Sequence, residues 1–165
     1  MHQLETTQRI PISIEKAWDF FSSPANLKTI TPPHMGFEIT SGYTTGEKMY
    51  AGMIISYIVK PIFNIPMKWV TEITHVKEGV YFVDEQRFGP YTLWHHTHFF
   101  RAIDGGVEMQ DRIHYKIPFG FLGRIANSVF VRNQVTGIFD YRRKKLEALF
   151  GIWKGENSRA TPVEA

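Results

Sequence analysis

The period of apolar positions changes twice along the chain. Thr7 to Ile12 ends a first short strand, and Ser13 follows as a helix N-cap, its hydroxyl placed to accept from the free N–H groups of the first turn. Ala17, Trp18, Phe20 and Phe21 then form one apolar side of a short helix, which Ser22-Ser23-Pro24 breaks. A second short helix spans 25–30, and Pro32-Pro33 ends it. From Gly36 to Ile117 the period drops to two, with strands over 37–41, 48–59, 65–76, 80–88, 91–103 and 107–117. The helical period then returns in a long helix over 127–150, where Val131, Val135, Ile138, Leu146 and Leu149 form the apolar stripe.

This order predicts an α+β domain: a curved, mostly antiparallel sheet of about seven strands, two short helices after the first strand, and one long C-terminal helix covering one sheet face. Residues 1–152 are expected to form a single domain and 153–165 a polar tail. Strands of ten or so residues coil strongly. A hollow is left between such a sheet and its helix wherever facing side chains do not fill it.

The last strand carries the main exception to its pattern. Val107, Met109, Asp111, Ile113, Tyr115 and Ile117 share one face, apolar but for Asp111. A carboxylate there is costly unless it is hydrogen-bonded, paired or wet. The two-residue turn Asp104-Gly105 pairs Ile103 with Gly106 and, counting back, His98 with Asp111; a turn at Gly105-Gly106 instead sets Phe100 opposite Asp111, with His98 a diagonal neighbour on the same face. That phase turns Trp94, His96, His98 and Phe100 inward. A three-residue turn at Gly89-Pro90-Tyr91 sets Asp84 opposite His96 and Gln86 opposite Trp94, so Phe82 points inward as well. The expected site is therefore a polar cluster of Asp84, Gln86, His96, His98 and Asp111. Its expected walls are Met67, Trp69, Phe82, Trp94, Phe100, Met109 and Tyr115 from the sheet, with Val135 and Ile138 from the long helix.

Three readings of the cluster stay open. It is an inert hydrogen-bonded network, or a polar contact for one end of an apolar ligand, or a site of chemistry. In the last case an Asp–His pair acts as general acid and base, or His96-x-His98 with a carboxylate holds zinc or iron. The catalytic candidates are His96, His98 and Asp111; no metal and no cofactor is assigned. The run Arg142-Arg143-Lys144-Lys145 reads as the solvated, C-terminal charge of the long helix.

Composition narrows the classes. The 165 residues carry 43% apolar and 15% aromatic residues, which is globular composition with an aromatic excess suited to a cavity. A net charge of +3 without a long basic run does not point to nucleic acid. No cysteine is present, which excludes disulfides and thiolate chemistry and suits the cytoplasm. The first residues lack a basic-then-apolar leader, and no apolar stretch approaches the ~20 residues of a membrane span. No phosphate-loop, dinucleotide, zinc-protease or serine-hydrolase motif occurs.

The segment Ile10 to Leu27, with Pro11, Ala17-Trp18 and Ser23-Pro24-x-x-Leu27, resembles the opening of the START/Bet v 1-like superfamily, the SRPBCC or helix-grip domains. Gln86-x-x-Gly89-Pro90-Tyr91-x-x-Trp94-x-His96-x-His98-x-Phe100 resembles a bacterial ligand-binding, polyketide cyclase-like branch. Asp111-x-Ile113-x-Tyr115-x-x-Pro118-Phe119-Gly120 and Ile138 to Arg142 fit that branch too. The resemblance implies a helix-grip fold and a hydrophobic or amphipathic small-molecule ligand, such as a lipid, quinone or polyketide. It also implies two alternatives: a cyclase or dehydratase using the Asp–His pair, or a non-catalytic module presenting a lipid to a partner protein. The oligomeric state, monomer or homodimer, is left open.

Overall fold

The computed structural model describes residues 1–41, 44, 46–60, 65–118, 120 and 130–154. Among these residues, seven strands form one antiparallel, curved, open sheet. In chain order they are β1 (His2–Ile10), β2 (Glu38–Ser41), β3 (Met53–Val59), β4 (Met67–Lys77), β5 (Tyr81–Phe88), β6 (Leu93–Ile103) and β7 (Gly106–Lys116). Two short helices, α1 (Ile14–Phe21) and α2 (Pro24–Thr29), follow β1, and the long helix α3 (Arg132–Phe150) follows β7. The spatial order is β1-β7-β6-β5-β4-β3-β2. Strands β2 to β7 are thus a meander, and β1 closes the far edge beside β7.

Local chemistry sets the boundaries. Ser13 caps α1, its Oγ accepting from Lys16 N at 3.3 Å. Pro24 opens α2, where a missing N–H costs nothing. The β6–β7 turn needs Gly105, whose φ is +73°, in the left-handed region. Beside it, a Cβ on Gly106 would lie 2.3 Å from the Ile10 carbonyl oxygen, so this end of β7 approaches β1 too closely for a side chain.

Several expected boundaries move. The first strand ends at Ile10 rather than Ile12, and β3 begins at Met53 rather than at residue 48. The reason for the second shift is that Met49 N donates to the Ser22 carbonyl at 2.7 Å, tying this segment to the end of α1 instead of to a strand. Residues 127–129 of the expected long helix, the segment 121–126 before it and the tail from 155 onward lie outside the described residues.

Helix α3 crosses the sheet with Val135, Phe139, Arg142 and Leu146 buried. Leu149, expected in the stripe, is 44% exposed. Phe150 takes its place, meeting Phe20 of α1 edge-on at 5.1 Å. The basic run is solvated only in part, with Lys144 exposed. Arg142 is buried, and Arg143 donates from Nη2 to the Thr7 carbonyl at 2.9 Å, fastening α3 to β1. Gln8 Nε2 returns a bond to the Arg143 carbonyl at 3.1 Å.

Candidate functional site

The cross-strand ladder has the predicted parity. Asp84 of β5 opposes His96 of β6, and His98 of β6 opposes Asp111 of β7. A period of two then turns all four side chains to the face that α3 covers. They close into a ring. His96 Nε2 lies 2.8 Å from Asp111 Oδ1, and His98 Nε2 lies 2.9 Å from Asp84 Oδ2, both in hydrogen-bond geometry. His96 Nδ1 faces Asp84 Oδ2 at 3.3 Å, and His98 Nδ1 sits 2.9 Å from Asp111 Oδ1. That last contact lies off the hydrogen-bond direction, so His98 Nδ1 is a buried nitrogen without a hydrogen bond among the described residues. The two imidazoles pack with centroids 3.7 Å apart, and Phe82 stacks on His98 at 4.1 Å.

The charges in this ring depend on one another. His96, His98 and Asp111 are buried, and Asp84 is nearly so. Burial alone would push both carboxyls up. The charge of His96 on Asp84, and the hydrogen bond from His96 together with the adjacent His98 at Asp111, outweigh it and hold both well below the usual carboxylate range. Burial likewise works against charge on His96, yet the facing Asp84 and the bond to Asp111 raise its pKa above the ordinary value. Ionised carboxylates only accept hydrogen bonds, so His96 Nε2 and His98 Nε2 both act as donors.

A fifth charged group was not foreseen. Arg142 of α3 is buried, stacks its guanidinium over Phe139 at 4.8 Å and reaches within 3.8 Å of Asp111 Oδ1. Its Nε has no hydrogen-bond partner among the described residues. The signal was available: Arg142 lies seven residues after Val135, two helical turns along the same stripe.

Between sheet and α3 lies a cavity of about 160 Å³. Trp69, Phe82, Asp84, Trp94, His96, His98, Val135 and Ile138 border it as the sequence suggested. Tyr57, Thr71, Phe139 and Arg142 border it too, outside the set expected from the sequence. Tyr57 Oη and Thr71 Oγ1 are 2.8 Å apart, and Trp69 Nε1 donates to the same Thr71 oxygen at 3.0 Å, a second and internally satisfied polar spot. Burial raises the Tyr57 hydroxyl far above its usual pKa, so it stays neutral.

The other expected site residues lie elsewhere. Asp111 sits behind the two histidines rather than on the cavity border. Gln86 clasps the β5–β6 turn, its Nε2 donating to the Tyr91 carbonyl at 2.5 Å. Its parity matches Asp84, but the β5–β6 ladder ends at Glu85, so the turn backbone claims its amide. Phe100 and Met109 belong to the packed core under α1. Tyr115 packs with Leu4 and Ile113, and Met67 is half-buried opposite Val59.

Solved structures share this architecture. CV1439 from Chromobacterium violaceum matches with a TM-score of 0.68 and 11% identity, over 91% of this chain and 97% of that one. Ms6760 from Mycobacterium smegmatis matches with a TM-score of 0.62 and 16% identity, over 89% and 92%. The Bet v 1-type allergen Ara h 8.0201 matches with a TM-score of 0.59 and 15% identity, over 89% and 98%. The chain has the Bet v 1-like fold. At these identities the likeness covers the fold alone. No protein-family model matches the sequence, and no curated protein matches it closely enough to count as a relative. Among the described residues, no helix is long and apolar enough to cross a membrane.

Proposed function

We propose that this protein binds a hydrophobic or amphipathic small molecule in the cavity between the sheet and α3, and that it does so in the cytoplasm. The observation that carries this reading is a cavity with aromatic walls that buried charged side chains also border. Trp69, Trp94, Phe82 and Phe139 give the wall its apolar area, and Asp84, His96, His98 and Arg142 supply the polar contacts. Apolar area removed from water contributes roughly 25 cal/mol per Å². The Arg142 Nε, without a partner among the described residues, is a donor for an oxygen of the ligand.

Titration with an apolar fluorescent probe tests this. Trp69 and Trp94 border the cavity, so their emission should be quenched as the probe enters. Ile138→Trp, which fills the space from α3, should abolish the effect while leaving the fold intact. Undiminished probe binding in that variant would place the binding elsewhere and end the reading.

One observation favours a second reading. His96, raised in pKa and held between two carboxylates, is arranged to pass a proton to or from a substrate carbonyl or hydroxyl, as a cyclase or dehydratase requires. Replacing His98 and Asp111 together separates the two. An enzyme should lose turnover with binding largely kept; a binder should lose affinity or selectivity.

A further inference from the structure

We infer that Asp84, His96 and His98 form a binding site for one divalent transition-metal ion, with Asp111 as the outer carboxylate that orients both histidines. The ring of contacts has two unlike sides. On one, His96 Nδ1 and His98 Nε2 both face a single oxygen, Asp84 Oδ2, at 3.3 and 2.9 Å. On the other, His96 Nε2 and His98 Nδ1 both face a single oxygen, Asp111 Oδ1, at 2.8 and 2.9 Å. A histidine that ligates through one nitrogen characteristically gives its other N–H to a carboxylate. Here His96 Nε2 makes that bond to Asp111, and His98 Nδ1 lies at nearly the same distance from it, off the bond direction.

Three further observations point the same way. The candidate ligand atoms of Asp84, His96 and His98 all lie within 4.8 Å of one another. Donors about 2 Å from a common ion sit roughly 3 Å apart, so small side-chain rotations suffice. Asp84, His96 and His98 border the cavity and Asp111 does not, so the remaining coordination positions would open toward a bound molecule while the orienting carboxylate stays behind. Charge agrees as well. With neutral imidazoles the two carboxylates exceed Arg142 by one negative charge, which favours a cation there.

The buried His98 Nδ1 without a hydrogen bond gains a role in this arrangement. As the ion arrives, a neutral His98 changes tautomer: the Nε2 proton goes to solvent and a proton from solvent binds Nδ1, with no net proton change, giving an N–H on the side of Asp111. Two imidazoles and one carboxylate suit zinc or iron(II) and disfavour calcium or magnesium, which prefer all-oxygen sites. The inference does not rest on the cavity holding an organic ligand.

Cobalt(II) titration of the full chain, first stripped with a chelator, is the test. Expected are one ion per chain, visible d–d absorption bands, and paramagnetic shifts of the His96 and His98 ring resonances but not of His75. Asp84→Asn and His96→Gln should weaken binding by at least about 100-fold, and Asp111→Asn by about 10–100-fold. His75→Gln, exposed on β4, should change nothing. Should the variants fail to fold, the wild-type resonances still decide. Lack of uptake below millimolar cobalt, shifts at other histidines, or unaltered affinity in the Asp84 and His96 variants would overturn the inference. Probe titration of the chelator-treated protein runs alongside. Probe binding without metal uptake defeats this inference only, and metal uptake without probe binding defeats only the cavity reading.

Discussion

The inner face of the sheet has two regions that use the same residue types differently. Under α1 the space is full. Trp18 meets Phe82 and Phe100 edge-on at 6.0 and 5.6 Å, Phe21 lies 5.6 Å from Phe100, and Leu146 of α3 completes the cluster with Ile10, Val107 and Met109. Toward the start of α3 aromatics are also dense, with Tyr57, Tyr91 and Trp94 each meeting Trp69, yet a cavity remains and buried charges border it. Phe82 belongs to both regions, packed on Trp18 and stacked on His98. One sheet surface is thus filled at one end and hollow at the other. What separates them is whether a covering helix inserts side chains down to the strands.

Two truncations should break that contrast most severely. Phe100→Ala in the filled region should cost about 3–5 kcal/mol by urea denaturation, since the surrounding rings cannot collapse into the gap. Asp111→Ala should cost about as much, because it removes the carboxylate that faces Arg142 and one of the two that face His96 and His98. If Asp111→Ala were instead neutral, the cluster would not be a coupled charge network. Adding volume sharpens the comparison. Val107→Phe, at a fully buried position, should destabilise by about 1–3 kcal/mol, whereas Ile138→Phe beside the cavity should cost under about 1 kcal/mol. Equal penalties would show that both regions are equally filled.

The smallest effect lies on the outer face of the same strand. Glu108 accepts from Arg101 and Arg9, which hold its carboxyl below the usual range. A depressed folded pKa means its contribution is fully present above the unfolded value, near ~4.3, and is lost as pH falls through the folded one. Arg101 is largely solvated and Arg9 partly so, and Glu108→Gln should therefore cost only about 0.2–1 kcal/mol at neutral pH, and the difference should vanish in acid. Denaturation curves at two pH values check the sign.

Parity was the most legible feature of the sequence. A two-residue turn at Asp104-Gly105 fixes which residues of β6 and β7 share a face, and the His98–Asp111 and Asp84–His96 pairs followed from counting. Lateral position was not legible. Phe100 and Met109 have the right face, but only the packing of α1 decides that they lie in the filled region. Arg142 was hidden by its neighbours, since four consecutive cations suggest solvent, although its helical phase turns it inward. Gln86 shows the limit of parity itself: past the last ladder pair, the nearest turn decides where a side chain goes.

Native mass spectrometry of protein purified from its own host, followed by organic extraction, tests the central claim most directly. A cavity that serves recognition should yield a co-purified apolar or amphipathic molecule at a fixed stoichiometry, lost in Ile138→Trp. Protein that emerges at its bare mass, with no extractable organic molecule and no apolar compound able to bind it afterwards, would contradict the account.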